Sequence, residues 1–265
     1  MKFYIHNRGD EVSRQLEVTF RRQAETHGLI WDEEKPDIVV SIGGDGTLLH
    51  AFHKYIHSID HVAFVGVHTG NLGFYADWKP EEIERLIEGM GLRQYRIVEY
   101  PLLELEIETD AGTECFLALN EATLKGIEAT LVAQVNINDE QFEMFRGDGI
   151  CISTPSGSTA YNKALGGAII HPSLEALQVT EIASINNRVY RTLGSPIVLP
   201  KHHHIDIYPE AGKRLMLSID HIYREYPNIH SLRANVAARK VKFFRYRSFP
   251  FWNRVADAFI SDRSN

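Results

Sequence analysis

The sequence predicts an α/β domain followed by a β-rich domain, and three observations lead to this prediction. The first hundred residues alternate short apolar runs with longer amphipathic runs, which is the order of strands and helices around a parallel sheet. After Pro101, apolar and charged side chains alternate, as from Leu103 to Glu108, which is typical of half-buried antiparallel strands. A glycine-rich turn over residues 43–47 directly follows an apolar run. We therefore expect a parallel, Rossmann-like sheet, then a sandwich-like domain that begins near residue 100.

The composition limits the classes of function. The chain has 265 residues, enough for one large domain or two modest ones. Its formal net charge of −7 argues against wholesale binding of nucleic acid or of an anionic membrane. Cys115 and Cys151 lie far apart and match no spacing of metal ligands, which favours a reducing cytosol. Neither a secretory segment nor an apolar run of about 18 residues is evident, so we expect a cytoplasmic protein without a membrane span.

The first domain is predicted to alternate strands and helices. Its strands are recognised as short apolar runs, and its helices by apolar residues three or four positions apart. The continuous apolar run over 62–67 is typical of a parallel strand buried on both faces. In chain order, the predicted elements are strand 2–6, helix 11–27, strand 38–42, helix 47–56, strand 62–67, loop 68–77 and helix 81–90.

The second domain, residues 100–244, is predicted to consist mainly of strands. Short apolar or alternating runs lie at residues 102–109, 116–124, 131–138, 142–153, 215–219 and 236–244. Residues 175–184 are the exception, because their pattern predicts a helix. The last segment, 245–265, begins with arginines and aromatic residues and continues as a helix. We expect its aromatic side chains to pack back on the first domain, with the arginines at the rim, rather than to bind single-stranded nucleic acid.

The turn Gly43-Gly44-Asp45-Gly46-Thr47 has the composition of a phosphate-binding loop. Glycines permit a positive φ and a close approach of the backbone to a ligand. The first N–H groups of the following helix have no partner within that helix and favour an anion. A carboxylate in such a place repels phosphate unless it binds a metal ion or accepts a proton from an attacking hydroxyl, so Asp45 is a candidate catalytic base. The alternative is a plain tight turn with an acidic helix cap.

Two further clusters have groups that suit a nucleotide. Asn120 and Glu121 lie at a strand end, where an amide and a carboxylate can together bind a base edge and a ribose hydroxyl. Residues 145–161 contain a glycine-flanked carboxylate, Asp148, and then a hydroxyl-rich loop that ends in Tyr161. The alternative for both clusters is an ordinary turn. Neither G-x-x-x-x-G-K-[ST] nor G-x-G-x-x-G occurs, so the motifs of P-loop enzymes and of standard dinucleotide dehydrogenases are missing.

The histidines are interpreted mainly as solvated side chains. His50, His53 and His57 share one face of a predicted helix, but no matching carboxylate accompanies them as a metal ligand. The run 202–204 is predicted to enter a strand that is exposed on one side. His50 is an exception, because it lies one helical turn after Asp45 and could reach a bound nucleotide.

With these clusters in order, the sequence resembles the NAD kinase family. The motifs that carry the resemblance span most of the chain: residues 43–47 (GGDGT), 68–74 (HTGNLGF), 120–121 (NE), 147–149 (GDG), 153–161 (STPSGSTAY) and 195–196 (SP). The GGDGT turn also occurs in lipid kinases, and phosphofructokinases carry a related turn. The STPSGSTAY stretch with an upstream Asn-Glu pair distinguishes NAD kinases, and the segments HTGNLGFYADW and RSFPFW resemble short members from Gram-positive bacteria.

The resemblance implies a two-domain enzyme whose C-terminal tail packs back on the α/β domain. The implied reaction transfers the γ-phosphoryl group of ATP to the 2′-hydroxyl of the adenosine ribose of NAD, which gives NADP and ADP. A divalent cation, Mg²⁺, is expected to accompany the phosphates, and polyphosphate is an alternative donor. Family members are usually homo-oligomers, so we expect a homotetramer or dimer with shared active sites, and neither nucleic acid nor membrane as a partner.

The resemblance also assigns site residues. Asp45 is similar to the family's catalytic aspartate, which accepts or orients the proton of the 2′-hydroxyl. The backbone expected at the phosphates is that of Gly43, Gly44 and Gly46. The residues expected at the adenosine half of NAD are Asn120, Glu121, Ser156, Thr159 and Tyr161. Those expected at the nicotinamide half, partly across a subunit interface, are Arg146, Asp148, Ala160 and Ala183.

The remaining residues expected to contact NAD or ATP are His50, Phe74, Tyr75, Asn162, Lys163, Ala164, Asp220 and His221. No metal ligand is assigned to the protein itself. Two other functions stay open: a GGDGT-type lipid or sugar kinase, and a catalytically silent NAD-binding regulator. The first leaves the Asn-Glu pair and the STPSGSTAY loop unexplained, and the second does not require the intact Asp45. We expect the site to lie between the two domains, with the glycine turn on one wall.

Overall fold

A computed structural model describes residues 1–70, 72–188, 191–248 and 250–261. Asn71 of the HTGNLGF motif and Phe249 of the RSFPFW segment therefore lie outside the described residues, as do 262–265 at the end of the predicted tail. The chain divides into two compact units. The first combines Met1–Glu99 with the segment that begins at Val241, and the second is Tyr100–Lys240.

The strands and helices of the described residues are numbered in chain order. The strands are β1 (Lys2–Asn7), β2 (Ile30–Trp31), β3 (Ile38–Ile42), β4 (Ala63–Val67), β5 (Ala76–Trp78), β6 (Arg96–Thr109), β7 (Gly112–Ala118), β8 (Glu121–Gly126), β9 (Leu131–Ile137), β10 (Glu140–Gly147), β11 (Gly149–Ser153), β12 (Ala176–Ile182), β13 (Ile197–Pro200), β14 (His204–Pro209), β15 (Leu215–Ile219), β16 (Ile222–Tyr226) and β17 (Ser231–Arg245). The α-helices are α1 (Glu11–Thr26), α2 (Asp45–Lys54), α3 (Ile83–Leu92), α4 (Tyr161–Ala164) and α5 (Phe251–Phe259). None of these helices has the length and apolar character that a membrane span requires.

The first unit contains the predicted parallel sheet. Its strands follow the order β2–β1–β3–β4, with β5 and the last residues of β17 also paired to β4, and every one of these pairs is parallel. The core beneath the sheet joins strand residues such as Val40 with Phe20 of α1 and Leu86 of α3, all fully buried. In register, Asn7 lies opposite Ile42, and Ile42 lies opposite Val67. Three strands therefore end together at their carboxyl ends, which is where ligands bind in open parallel sheets.

The second unit is the β-rich domain, and its two sheets enclose one core. One sheet contains β10–β9–β14–β17 together with β6 and β7, and the other follows the order β13–β12–β11–β8–β15–β16. Side chains from both sheets meet in a single apolar cluster that includes Leu105 and Val135 from the first sheet and Leu124 and Leu217 from the second. The sandwich-like prediction is therefore confirmed.

The predicted helix over 175–184 is wrong. Residues 176–182 form strand β12, which pairs antiparallel with both β11 and β13. Almost every residue of this strand is buried. Gln178 and Thr180 are polar but as buried as their apolar neighbours, so burial does not follow polarity here. The pattern of so short a run cannot distinguish a buried strand from a buried helix segment.

Three other predicted segments are subdivided in the structure. The run 116–124 breaks into β7 and β8 at Leu119 and Asn120, and the run 142–153 breaks into β10 and β11 at Asp148. The loop predicted over 68–77 ends in the short strand β5, which pairs with β4.

The C-terminal segment packs on the first unit, as predicted. The ring of Phe251 in α5 lies 6.2 Å from the ring of Phe74, measured between centroids. Arg254 of the same helix is buried and donates a 2.8 Å hydrogen bond to the carbonyl oxygen of Gly73. Arg245, at the end of β17, forms a buried ion pair with Asp77. Two of the arginines that were expected at the rim are thus inside the unit.

Candidate active site

The glycine turn joins the buried strand β3 to helix α2. Gly43 has φ = 156°, and a Cβ atom there would lie 2.2 Å from Oγ1 of Thr47, so only glycine fits. Gly44 is the N-cap of α2, and Asp45 is its first residue. The helix therefore begins two residues before the predicted start at 47. The N-terminus of this helix, which is the positive end of its dipole, lies at the turn, as a phosphate site requires.

The carboxylate of Asp45 is held by two backbone N–H groups. Phe74 donates its N–H to Oδ2 at 2.8 Å, and Tyr75 donates its N–H to Oδ1 at 3.1 Å. The loop comes so close that a Cβ atom on Gly73 would lie 2.1 Å from Oδ1 of Asp45. The HTGNLGF motif thus contributes its backbone to the orientation of this carboxylate. The glycine at position 73 is what makes that approach sterically possible.

Burial raises the pKa of Asp45 above its ordinary value. The N–H groups of Phe74 and Tyr75 oppose this rise, as do the charges of Arg254 and His68. A carboxylate with a raised pKa is a stronger base once it has lost its proton. This environment suits a group that accepts a proton from a hydroxyl.

A cleft of about 470 Å³ opens beside the turn. Its walls are the carboxyl end of β1 and the first two turns of α2, and its lining residues are His6, Asn7, Arg8, Gly44, Gly46, Thr47 and His50. The imidazole rings of His6 and His50 are nearly parallel, with centroids 6.4 Å apart. One guanidinium and a helix N-terminus provide positive charge, and the two imidazoles add ring N–H groups, so the cleft offers donors that suit a polyphosphate chain.

The sequence-predicted residues Gly44, Gly46 and His50 are therefore brought together in this cleft, while His6 and Arg8 were missed. The order of the predicted strands could have identified His6 and Arg8. In a parallel sheet, the residues just after β1 lie beside those just after β3, so the end of the first predicted strand was a candidate position.

The side chains of Phe74 and Tyr75 differ in their environment. Phe74 is half-buried and contacts the C-terminal helix. The ring of Tyr75 is buried and stacks on Phe243, with centroids 5.7 Å apart and an interplanar angle of 5°. The contribution of Tyr75 to the site is thus its backbone N–H, which the sequence pattern did not indicate.

In the second unit, Asp220 holds the Asn120-Glu121 turn in place. Its carboxylate accepts the N–H groups of Leu119, Asn120 and Glu121 at 2.9, 2.7 and 3.3 Å. Asp220 lies with His221 in the tight turn between β15 and β16 and has φ = 52°. The predicted site residue Asp220 therefore orients the predicted pair Asn120 and Glu121 through their backbone.

Glu121 is an unusual carboxyl group. Burial, and next the neighbouring charge of Asp220, raise its pKa to about 8, and a hydrogen bond from the N–H of Tyr161 opposes the rise. Its Oε2 atom is buried without a hydrogen-bond partner among the described residues. A protonated carboxyl with an unused oxygen can bind a hydroxyl or a base edge as donor or acceptor.

The STPSGSTAY loop is anchored directly on this turn. Thr154 donates its hydroxyl to the carbonyl of Leu119 at 2.6 Å, and its N–H binds the carbonyl of Asn120 at 2.8 Å. A Cβ atom on Gly157 would lie 2.1 Å from the carbonyl oxygen of Asn120. The hydroxyl of Ser156 is buried and lacks a partner among the described residues, which leaves it for a ligand.

The residues at the end of this loop and in α4 differ in their environment. Nζ of Lys125 donates a 2.9 Å hydrogen bond to the hydroxyl oxygen of Tyr161, and the same ammonium lies 4.7 Å from the centroid of the tyrosine ring. Asn162 is fully buried and accepts a 2.8 Å hydrogen bond from Thr180, so its side chain binds within the protein. Lys163 and Ala164 of α4 are exposed, whereas Thr159 and Ala160 are half-buried.

Three of the four residues predicted for the nicotinamide half lie at or beside the β10–β11 turn, whereas Ala160 lies just before α4. The N–H of Asp148 donates to the carbonyl of Ile182 at 2.9 Å, and the carbonyl of Arg146 accepts the N–H of Ile185 at 2.7 Å. Ala183, with φ = 48°, follows directly after β12. Asp148 is exposed. The structure thus places Arg146, Asp148 and Ala183 in one surface cluster.

Among the described residues, a group with metal-binding spacing consists of Asp139, His204 and Asp206. Nε2 of His204 lies 3.2 Å from Asp139 and 3.5 Å from Asp206. Arg233 donates to both carboxylates, at 2.8 Å to Asp139 and 2.6 Å to Asp206. The carboxylates are therefore already neutralised by a guanidinium, which competes with any cation.

Two family models match the chain over most of its length. Residues 7–95 match the ATP-NAD kinase N-terminal domain, and residues 119–245 match the ATP-NAD kinase C-terminal domain. NAD kinase 1 of Bacillus cereus (strain ZK / E33L) is 56% identical over 265 residues, which covers 99% of this chain and 100% of that protein. The chain belongs to the NAD kinase family. The NAD kinase of Geobacillus stearothermophilus is 55% identical, with 98% of this chain and 97% of that protein covered.

Two solved structures share the fold of this NAD kinase family member. The yeast NADH kinase complexed with NADH superposes with a TM-score of 0.81 at 19% identity, and the match covers 100% of this chain and 89% of that one. The NAD kinase from Archaeoglobus fulgidus in complex with ATP superposes with a TM-score of 0.74 at 18% identity, covering 97% and 98% of the two chains. At these identities the likeness confirms the α/β plus β-rich architecture.

Replacing Glu121 by glutamine should make the stability of this family member less dependent on pH. The raised pKa means that the folded protein binds more protons than the unfolded chain between about pH 4.5 and 8, so stability falls as pH rises through this window. We expect Glu121→Gln to melt close to the wild type near pH 5 and several degrees higher near pH 9. Thermal melts by circular dichroism measure the difference.

Glu140→Gln, at an exposed glutamate in the same unit, is the matched control and should show a constant difference from wild type at both pH values. A Glu121→Gln difference that stays constant from pH 5 to pH 9 would mean that Glu121 is charged throughout.

Proposed function

We propose that this member of the NAD kinase family transfers the γ-phosphoryl group of ATP to the 2′-hydroxyl of the adenosine ribose of NAD, forming NADP and ADP. The observation that carries the proposal is the carboxylate of Asp45, fixed by two N–H groups at the edge of the phosphate-binding turn. Phosphoryl transfer needs alignment of the acceptor hydroxyl and neutralisation of charge more than it needs covalent chemistry. An oriented base beside a cationic cleft supplies both.

The cleft beside the turn is proposed to bind the phosphates of ATP. Backbone N–H groups at Gly44 and Gly46 approach the phosphates, Arg8 adds positive charge and donors, and His50 adds a ring N–H donor. These groups are donors or cations, so they do not form a site that the protein itself provides for Mg²⁺. A divalent cation is therefore proposed to arrive on the phosphates of ATP as part of that substrate.

Asp45 is proposed to accept or orient the proton of the 2′-hydroxyl. Once Asp45 has accepted or bound this proton, the hydroxyl oxygen attacks the γ-phosphorus of ATP. The bond between the γ-phosphorus and the bridging β-phosphate oxygen breaks, and ADP leaves. The carboxylate keeps its orientation during this step, because the N–H groups of Phe74 and Tyr75 bind it from the protein side. No rearrangement of Asp45 is then needed as charge develops.

NAD is proposed to be recognised through its adenosine half by the second unit. The side chains of Asn120 and Glu121 bind the ribose or the base, the hydroxyl of Ser156 adds a hydrogen bond, and the ring of Tyr161 packs against the adenine. The unused oxygen of Glu121 and the buried hydroxyl of Ser156 support this assignment. A buried polar atom without a partner is costly, and a ligand that binds it removes this cost.

The nicotinamide half is proposed to bind near Arg146, Asp148 and Ala183, partly across the interface of a homotetramer or dimer. Exposed apolar side chains on β10, on β13 and before β13 support such an interface; they are Phe142, Met144, Leu193 and Val198. Light scattering should give the mass of a dimer or a tetramer of the 30.2 kDa chain. A single-chain mass at enzymatically active concentrations would contradict active sites that are shared between subunits.

The cytoplasmic location of the protein stays a prediction.

Asp45→Asn should abolish NADP formation while NAD binding largely survives, because the amide cannot accept the proton and its NH2 group must face one of the two backbone N–H groups that orient the carboxylate. NADP formed from NAD, ATP and Mg²⁺ is measured with an NADP-specific dehydrogenase, and NAD binding by calorimetry. Equal loss of binding and turnover would make Asp45 a binding group. If the wild type binds NAD but forms no NADP, the chain is a silent regulator, and phosphorylation of diacylglycerol instead would indicate a lipid kinase.

Gly44→Ala is the matched variant for the phosphate side of the same experiment. Gly44 has φ = −97° and ψ = −174°, and a Cβ atom there meets no other atom within 4 Å, so the fold should tolerate alanine. The added methyl group stands in the proposed phosphate cleft. We expect an unchanged melting temperature and a KM for ATP raised about tenfold or more, whereas an unchanged KM would place the phosphates elsewhere.

A further inference from the structure

The loop that holds Asp45 has its own support in the C-terminal segment. Asp45 is bound by the backbone N–H groups of Phe74 and Tyr75, so its orientation depends on the conformation of residues 73–77. Gly73 lies directly against the carboxylate and provides no side chain that could fix this conformation. The groups that fix the loop must therefore come from its other side.

Arg254 of α5 provides three such contacts. Its Nη1 donates to the carbonyl oxygens of Gly73 at 2.8 Å and Ala76 at 2.5 Å, and its Nη2 donates to Oδ1 of Asp77 at 2.8 Å. The guanidinium thus binds both ends of the segment that presents the N–H groups of Phe74 and Tyr75. A planar fork with several fixed donors suits this task, and a lysine ammonium cannot reproduce its geometry.

Arg245 completes a buried cluster around Asp77. Its Nη1 lies 2.5 Å from Oδ2 of Asp77 and 3.3 Å from the carbonyl oxygen of Tyr75. The side chains of Arg245, Asp77 and Arg254 are 1%, 1% and 9% exposed. Two guanidinium groups thus share one carboxylate in a place where unbalanced charge is costly. The nearby carboxylate of Asp45, which Arg254 influences electrostatically, balances the second positive charge.

We propose that Arg254 is a positioning residue for Asp45, so that the C-terminal helix controls turnover without touching the reacting groups. The proposal rests on the catalytic function of Asp45 proposed above. Arg254 acts in two ways: its hydrogen bonds fix the loop that orients the carboxylate, and its charge favours the deprotonated form of Asp45. His68 and the N–H groups of Phe74 and Tyr75 also favour that form, whereas burial opposes it.

Two substitutions separate these effects. Arg254→Gln removes both the charge and most of the donors, whereas Arg254→Lys retains the charge but not the fork. We expect Arg254→Gln to lower kcat about tenfold to a hundredfold with KM for NAD and ATP within about twofold, because misplacing a reacting group affects the chemical step. The acid limb of its pH–kcat profile should move to higher pH. Arg254→Lys should also lower kcat, but with an acid limb close to that of the wild type.

Arg247→Gln is the matched control. Arg247 lies in the same segment and forms an ion pair with Glu82, at 2.7 and 2.8 Å, and stacks over Trp78. The Arg247→Gln substitution should leave kcat and the pH–kcat profile unchanged. An Arg254→Gln enzyme with wild-type kcat, or with a raised KM and an unmoved pH profile, would overturn the proposal.

A measurement that does not depend on activity distinguishes this proposal from the proposed function. Amide hydrogen exchange of the wild type and the two Arg254 variants reports directly on the N–H groups of Phe74 and Tyr75. We expect these two amides to exchange faster in both variants, while amides in the core of the second unit are unchanged. Unchanged exchange at Phe74 and Tyr75 would overturn the proposal. If the wild type makes no NADP but the two Arg254 variants still exchange these amides faster than the wild type does, only the catalytic function of Asp45 is overturned.

Discussion

The carboxylate of Asp45 bound by two backbone N–H groups is the interaction on which the first unit's site depends. It joins two motifs that are distant in sequence, the GGDGT turn and the HTGNLGF loop, at one edge of the parallel sheet. Burial raises the pKa of Asp45, and the hydrogen bonds limit that rise, so the group is both basic and oriented. Gly73 is required by the same geometry, since a Cβ atom there would clash with this carboxylate, whereas a Cβ atom on Gly43 would clash with Thr47 inside the turn.

The second unit uses the same device for a different purpose. Asp220 binds three successive backbone N–H groups and thereby fixes the turn that carries Asn120 and Glu121. In each unit, a carboxylate with a defined set of N–H partners joins two segments of the candidate site. A carboxylate accepts several charge-assisted hydrogen bonds at once, which makes it an effective anchor for a turn. The difference is that Asp45 is proposed to meet the substrate itself, whereas Asp220 orients its neighbours.

Much of the fold follows from the sequence, because apolar periodicity reports burial directly. The parallel sheet and the antiparallel runs after Pro101 were predicted on that basis, and the error at β12 arose where both faces of a strand are covered. The motifs identified the turns of the candidate site. They did not reveal that Tyr75 contributes its backbone N–H, because backbone hydrogen bonds leave no local sequence pattern. They also did not reveal that Arg254 supports the loop, because it lies 181 residues after Gly73 in the sequence.

Asp45 is proposed to meet the 2′-hydroxyl of NAD while the Asn120-Glu121 turn holds the adenosine of the same molecule. A crystal structure of the Asp45→Asn variant with NAD and a non-hydrolysable ATP analogue tests this most directly. We expect the side-chain amide at position 45 to lie within about 3.2 Å of the ribose 2′-oxygen, and Glu121 to contact the same adenosine. A ribose bound out of reach of position 45, with the 2′-oxygen facing another base, would contradict it.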